Sequence, residues 1–145
     1  MKTMYLVRSG ATVQEVERLQ QFFVAKDNVA KVYTSGIFGS IQTARAVFPE
    51  RSFVIMQQLS VSDGDSVEVA TYKLVLAIQL ARNRMWENTG VVAVGHPALI
   101  EGVLHGLDSS LRGEHSIQTG DVVQLTFRRG GFFDAVRFYK QPFLQ

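Results

Sequence analysis

The feature that most constrains the fold of this chain is a regular alternation of short apolar runs with helical patterns. Short apolar runs are typical of strands buried on both faces of a parallel sheet, and the segments between them repeat apolar residues at helical spacing. Four such strand–helix pairs precede two further strands. This order predicts an α/β fold, a three-layer sandwich with a mostly parallel central sheet and an antiparallel edge. The predicted strands are residues 4–7, 31–34, 53–56, 91–95, 121–127 and 135–139.

Local signals mark the ends of the predicted helices. Thr12 and Glu15 have the spacing of a capping box, which recurs at Asp65 before the longest helix. Pro97 predicts the start of a fourth helix over residues 98–107, because proline is favoured at the first helical position. The predicted buried faces are Val13, Val16, Leu19 and Phe23 on the first helix, Ile37, Ile41, Ala44 and Phe48 on the second, and Val67, Ala70, Leu74, Ala77, Ile78, Ala81 and Met85 on the third.

The composition is that of a globular protein. The 145 residues suit a single domain spanning 1–145, and 46% of them are hydrophobic. Fifteen basic and thirteen acidic residues are scattered along the chain, so neither nucleic acid nor a membrane is predicted as a partner. No apolar stretch approaches the roughly 18 residues of a membrane helix, and no secretory leader is recognised. The absence of cysteine fits a reducing compartment, so a cytoplasmic location is expected.

Polar residues follow three of the predicted strands at the point where each strand ends. Arg8, Ser9 and Gly10 follow the first strand, residues 35–39 follow the second, and His96 follows the fourth. Ligands of open α/β sheets bind beyond the carboxyl ends of the strands. An arginine beside a glycine turn at the start of a helix is suited to bind a phosphate. The sequence therefore predicts an anion site at this edge of the sheet.

The same strand ends carry the motifs of a known family. Residues 7–12 read Val-Arg-Ser-Gly-Ala-Thr, residues 33–44 read Tyr-Thr-Ser-Gly-Ile-Phe-Gly-Ser-Ile-Gln-Thr-Ala, and residues 94–97 read Val-Gly-His-Pro. In order, they resemble the Val-Arg-His-Gly-x-Thr signature, the Ser-Pro-Leu-x-Arg-x-x-Gln-Thr-Ala segment and the late Ser-His or Gly-His turn of the histidine phosphatase superfamily, also called phosphoglycerate-mutase-like. In length the chain is closest to the small bacterial phosphohistidine phosphatases. The resemblance implies the fold of that family and a phosphate pocket at the strand ends.

Two residues of the family's phosphate pocket are replaced in this chain. The resemblance implies a nucleophilic histidine at the position of Ser9 and a phosphate-holding arginine at the position of Gly39. Arg8 and His96 match the family's pattern. Loss of a nucleophile costs a hydrolase about 10⁶ in turnover, and an arginine that completes a phosphoryl-transfer site is worth roughly 10³ to 10⁵. Either loss alone predicts a nearly silent enzyme.

We interpret the chain as a histidine-phosphatase-like domain that has lost catalysis. Its expected role is to bind a phosphate-containing small molecule, a phosphoprotein or another protein partner. An anion at the strand ends would meet one cation, one imidazole and the backbone of the first turn. The groups expected to hold it are Arg8, the main-chain amides of Ser9 and Gly10, and His96.

Two other interpretations remain open. In the first, the chain is a phosphatase of unusual mechanism in which His96 activates Ser9 as the nucleophile. Asp63 or Asp65, which occupy the loop where the family often supplies a general acid, would then protonate the leaving group. In the second interpretation, the fold is a structural subunit whose old pocket is vestigial.

No arginine on the second helix is expected to replace the one missing at Gly39. Arg45 lies six positions farther along, so helical geometry turns it well away from Gly39. The sequence leaves the oligomeric state open and predicts neither a cofactor nor a metal, because the remaining histidines lack acidic neighbours at ligand spacing. Arginines of later loops stay candidates for the missing cation. They are Arg112, Arg128 and Arg129.

Overall fold

The computed structural model describes residues 2–26, 29–61, 64–86, 89–95, 118–128 and 133–139. All six predicted strands are confirmed within these ranges, although the third has only two residues. The helix predicted over residues 98–107 lies outside them. The elements, in chain order, are β1 (Lys2–Arg8), α1 (Val13–Val24), β2 (Val29–Thr34), α2 (Phe38–Val47), β3 (Val54–Ile55), a 3₁₀ turn (Gln57–Leu59), α3 (Val67–Arg84), β4 (Gly90–Gly95), β5 (Val122–Phe127) and β6 (Phe133–Tyr139).

The strands form a six-stranded sheet in the order β3-β2-β4-β1-β5-β6. β4 lies between β1 and β2 and is parallel to both, and β2 is also parallel to β3. β5 is antiparallel to β1, and β6 is antiparallel to β5. The predicted mostly parallel sheet with an antiparallel edge is therefore confirmed. Because β4 lies between β1 and β2 and is parallel to both, the carboxyl ends of these three strands lie side by side.

Helices cover both faces of the sheet, which gives the predicted three layers. Successive residues of β1 point to opposite faces. Met4 and Leu6 belong to a buried cluster that includes Leu74 of α3. Tyr5 and Val7 belong to a second cluster, which residues of α1 and α2 complete. Every residue of β4 is buried, as expected for a central parallel strand. In the part of the chain that the structure describes, no helix is long and apolar enough to cross a bilayer.

The faces predicted for the first two helices are confirmed at Leu19, Phe23, Ala44 and Phe48 but not at their first residues. Val13 and Ile37, expected to face the core, are 77% and 39% exposed. On α2 the buried side includes two polar residues, Ser40 and Thr43, which the apolar pattern does not reveal. On α1 the buried residues include Glu15, whose carboxylate accepts hydrogen bonds from neighbouring chain segments. These exceptions lie near the helix ends that meet the strand ends. The face predicted for α3 is confirmed at Ala70, Leu74, Ala77, Ile78 and Ala81.

The capping box predicted for α1 is present. Glu15 N donates to Thr12 Oγ1 at 3.3 Å, and Thr12 N donates to Glu15 Oε1 at 2.8 Å. The capping role predicted for Asp65 is wrong, because α3 begins one residue later. Its N-cap is Ser66, whose Oγ accepts a hydrogen bond from Val69 N at 3.2 Å. The Asp65 carboxylate does not cap α3 and instead pairs with Lys73 in the same helix.

Candidate functional site

The strand ends that carry the three motifs are aligned across the sheet. Arg8 at the end of β1 pairs with Gly95 at the end of β4, and Thr34 at the end of β2 pairs with Val94. The next residues extend this alignment: Ser9 N donates to the Gly95 carbonyl at 2.9 Å, and the Ser35 amide donates to the Val94 carbonyl at 3.0 Å. The first two motifs and the end of β4 therefore meet at one edge. The side chain of His96, predicted to join them, lies outside the described residues.

The turn after β1 is tied to α2 by one threonine. Gly10 has a φ of 91°, a conformation that favours glycine. Its amide donates to Thr43 Oγ1 at 3.0 Å, and that hydroxyl donates to the Gly39 carbonyl at 3.0 Å. The Ser9 amide is also occupied by its bond to Gly95. The two main-chain amides expected to contact an anion are thus already hydrogen-bonded within the protein, which corrects that expectation.

The start of α2 supplies donors that the sequence analysis did not identify. Its N-cap, Ile37, makes no side-chain capping hydrogen bond. Among the described residues, the Phe38 and Gly39 amides have no acceptor. Ser40 is 1% exposed, and its Oγ also lacks a partner there. Because Cα–Cβ bonds tilt toward the N-terminus of a helix, the Ser40 side chain leans toward the same end. The available signal was the apolar residue Ile37 at a position where Ser, Thr, Asp or Asn is usual.

Position 39, where the resemblance implies an arginine, opens into a cleft. A Cβ atom added to Gly39 would meet no described atom within 4 Å. The cleft has a volume of about 680 Å³. Arg45 also lines it, which the helical geometry did not predict, but lies about 9 Å farther along the axis of α2, with its guanidinium over the Phe53 ring at 5.7 Å. The described lining residues are Gly10, Ala11, Val13, Val16, Gly39, Gln42, Thr43, Arg45 and Ala46.

The segment before β5 packs against the turn after β1. Thr119 Oγ1 donates to Glu15 Oε2 at 3.0 Å. Gly120 has a φ of 86°, and a Cβ there would lie 3.0 Å from Glu15 Cγ. A Cβ on Gly10 would lie 3.7 Å from Thr119 Cγ2. The sequence analysis assigned Glu15 only to the cap of α1, although it also fixes this second segment beside the site.

The loop predicted to supply a general acid is held by a lysine of α3. Lys73 Nζ forms a salt bridge with Asp65 Oδ2 at 2.8 Å and donates to the Ser60 carbonyl at 3.2 Å. Ser60 Oγ accepts from the Gly36 amide at 3.0 Å, so the loop is joined to the end of β2. The Asp65 carboxylate is therefore already bound within the protein by Lys73. The other candidate, Asp63, lies outside the described residues.

The remaining cation and metal predictions fall only partly within the described residues. Arg128 is an exposed residue just after β5. Arg112 and Arg129 lie outside the described ranges. Within those ranges, no group of three His, Asp or Glu side chains comes together as metal ligands would. The described groups at the strand ends that suit an anion include Arg8 and the uncapped start of α2.

Comparison with known proteins gives a likeness of fold. No protein-family model matches the chain, and no curated protein sequence matches it. YhfR from Bacillus stearothermophilus superposes with a TM-score of 0.79 at 17% identity, over 92% of this chain and 95% of that one. A histidine-to-alanine variant of phosphoserine phosphatase from Entamoeba histolytica, in complex with phosphoserine, gives 0.72 at 15% identity, over 94% and 96%. Phosphoglycerate mutase from Bacillus anthracis gives 0.76 at 14% identity, over 91% and 90%.

Proposed function

Because this chain has the phosphoglycerate-mutase-like fold of the histidine phosphatase superfamily, we propose that it binds a phosphorylated ligand without hydrolysing it. The observation that carries the proposal is the start of α2. There, two amides and the buried Ser40 hydroxyl have no acceptor among the described residues, at the edge of the sheet where Arg8 ends β1. A buried donor without an acceptor is costly, and a bound anion would supply one.

The donors fit a phosphate in charge and direction. The N-terminus of a helix carries partial positive charge and directs free amides outward, so it binds anions. Phe38 and Gly39 provide those amides, and Arg8 provides a full positive charge from the end of β1, which β4 separates from β2. Glycine at position 39 also leaves the approach to the backbone open. Backbone donors of α2 would thus do the work of the arginine side chain that the family motif places at this position.

Positions 9 and 39, where this chain departs from the family motif, argue against hydrolysis. A serine hydroxyl must lose its proton before it attacks, so Ser9 requires a neighbouring base. Asp65, one of the two candidate acids, is paired with Lys73. Glycine at position 39 supplies no cation where the family motif places an arginine. Transition-state charge would therefore lack a stabilising group worth roughly 10³ to 10⁵ in rate.

One of the similar structures supports binding without the full set of family residues. The phosphoserine phosphatase from Entamoeba histolytica forms a complex with phosphoserine as a histidine-to-alanine variant. A protein with this fold can therefore hold a phosphorylated ligand after losing a histidine. We infer the same of the present chain, in which Ser9 stands at the position of the family's nucleophile.

Binding is tested with inorganic phosphate and two variants. Phosphate is expected to raise the Tm of the wild type, and at about 100 times its Kd to add about 2.7 kcal/mol to the free energy of unfolding. Arg8→Met removes the cation and should abolish most of this gain. Ser40→Ala should leave the ligand-free protein equally or more stable, because it removes a buried hydroxyl without a partner, yet should weaken phosphate binding. Calorimetric titration measures both affinities.

The matched control is Ser52→Ala, at an exposed loop position, which should bind phosphate like the wild type. Hydrolysis is tested with p-nitrophenyl phosphate, and no turnover above background is expected. Turnover that disappears in Ser9→Ala would show the chain to be a phosphatase and overturn the proposal. Phosphate affinity unchanged in both Arg8→Met and Ser40→Ala would place the anion elsewhere.

A further inference from the structure

The opening at Gly39 continues into a cleft between α1 and α2. The cleft runs from Gly10 and Gly39 at the strand ends to Ala46 on the last turn of α2. Ala46 lies seven positions after Gly39, so the cleft extends about 10 Å along α2. Its volume of about 680 Å³ lies within the range of small-molecule sites, which is about 300 to 1,000 Å³. This space is larger than a phosphate group alone requires.

The walls of the cleft are mostly apolar. α1 contributes Val13 and Val16, the turn contributes Ala11, and α2 contributes Ala46. Val13 is 77% exposed at the first position of α1, although the sequence pattern predicts it in the core. Its side chain faces the cleft rather than the sheet. Apolar walls of this kind favour the hydrocarbon part of a ligand.

The end of the cleft remote from Gly39 carries a positive charge. Arg45 is the only charged side chain among the described lining residues. Its guanidinium lies over the Phe53 ring at 5.7 Å, a contact that restrains the side chain. Beside it, Gln20 Nε2 donates to the Ala46 carbonyl at 2.7 Å and joins α1 to α2. An exposed guanidinium at this end of the cleft is suited to a carboxylate or a second phosphate.

Resting on the proposed function, we propose that the cleft between α1 and α2 binds the organic part of the phosphorylated ligand. The phosphate would occupy the start of α2 near Arg8, and a hydrocarbon chain would lie between Val13 and Ala46. A second acidic group, about 10 Å from the phosphate, would pair with Arg45. The ligand class is therefore an elongated phosphate monoester that bears a carboxylate or another anion at its far end.

Three phosphonates that cannot be hydrolysed test this inference in the wild type: methylphosphonate, hexylphosphonate and 6-phosphonohexanoate. A fully buried methylene strengthens binding by about fourfold. Because Val13 and Ala46 leave one side of the cleft exposed, hexylphosphonate is expected to bind about tenfold or more tightly than methylphosphonate. The terminal carboxylate should add about two- to fivefold, the usual range for an exposed ion pair. Isothermal titration calorimetry gives all three affinities.

Two variants separate the parts of the cleft. Ala46→Leu fills the remote half with a good helix former at an exposed position. It should remove the advantage of hexylphosphonate and leave methylphosphonate unchanged. Arg45→Gln should remove only the gain from the carboxylate. Arg84→Gln, an exposed arginine on α3, is the matched control and should bind all three probes like the wild type.

The outcomes distinguish this inference from the proposed function. Equal affinities for methylphosphonate and the two longer probes would show that the cleft is not used, while phosphate binding at the strand ends would stand. Retention of the hexyl advantage in Ala46→Leu, or of the carboxylate gain in Arg45→Gln, would also overturn the inference. If neither inorganic phosphate nor any phosphonate binds, both the proposed function and this inference are wrong.

Discussion

Glu15 connects two segments of the chain beside the end of β1. Its Oε1 accepts from Thr12 N at 2.8 Å and its Oε2 accepts from Thr119 Oγ1 at 3.0 Å. Gly120 then passes directly against its side chain. Hydrogen bonds to charged groups contribute about 1.5 to 3 kcal/mol each. A single buried carboxylate therefore fixes both the start of α1 and the segment that leads into β5.

Gly120→Ala tests this packing. With a φ of 86°, position 120 strains any side chain, and a Cβ there would lie 3.0 Å from both Cγ and Oε2 of Glu15. We expect the free energy of unfolding to fall by about 1 to 3 kcal/mol, measured by urea denaturation with circular dichroism. Gly64→Ala is the control, because position 64 is exposed and no described atom lies within 4 Å of the added Cβ. The change there should stay within about 0.5 kcal/mol. Equal losses at both positions would contradict the role of Gly120.

Tyr5 predicts a dependence of stability on alkaline pH. Burial, and then the neighbouring Tyr139, raise the pKa of Tyr5 above its ordinary value of about 10. The folded state therefore retains the phenolic proton at a pH where the unfolded state has lost it. The contribution of Tyr5 is complete below about pH 10 and is lost as pH rises through the folded pKa. Tyr5→Phe should gain stability relative to the wild type above about pH 10, in denaturant titrations at several pH values. A difference that does not change with pH would contradict this.

The three described helices satisfy their first amides in different ways. α1 has a complete capping box, and α3 begins at Ser66, which accepts from the Val69 amide at 3.2 Å. α2 has no side-chain cap, and the amides of its first two residues lack acceptors within the described part of the chain. α2 thus lacks a cap that would contribute about 1 kcal/mol to stability. Its first amides remain available as donors to another molecule. The difference between these elements thus agrees with the proposed anion site.

Ser66→Ala tests the cap of α3. Loss of the hydroxyl leaves the Val69 amide without its acceptor, so the free energy of unfolding should fall by about 1 kcal/mol. Ser66→Asp keeps an acceptor at the same position and should remain close to the wild type. Thermal denaturation of the two variants compares them directly. Equal stability of Ser66→Ala and Ser66→Asp would show that Ser66 does not cap the helix.

At the scale of the whole molecule, the architecture could be predicted from the sequence, because apolar residues repeat at different spacings in strands and in helices. The apolar runs in β1, β2 and β4 are short and continuous, and the turn between β5 and β6 is rich in glycine, so the parallel core and antiparallel edge follow from the pattern. The exposure of Val13 did not follow, because one residue at a helix end can face a cleft as easily as the sheet.

The candidate site could be predicted from the sequence only in part. The alignment of Arg8, Ser35 and the end of β4 follows from the rule that parallel strands end at one edge. The partners of individual groups depend on three-dimensional contacts that no spacing encodes. Lys73 reaches Asp65 from α3, and Thr43 occupies the Gly10 amide from α2. His96 and Asp63 lie outside the described residues, so their predicted roles stay predictions.

The position of β1 inside the sheet has a consequence for how the molecule is made. Its two neighbours, β4 and β5, begin at Gly90 and Val122, so β1 pairs with no strand that is near it in sequence. Closing such long loops costs entropy before any pairing is gained, and contacts of this kind slow folding. During synthesis on a ribosome, Arg8 and Ser9 can take their places beside β4 and β5 only after these much later strands have been made.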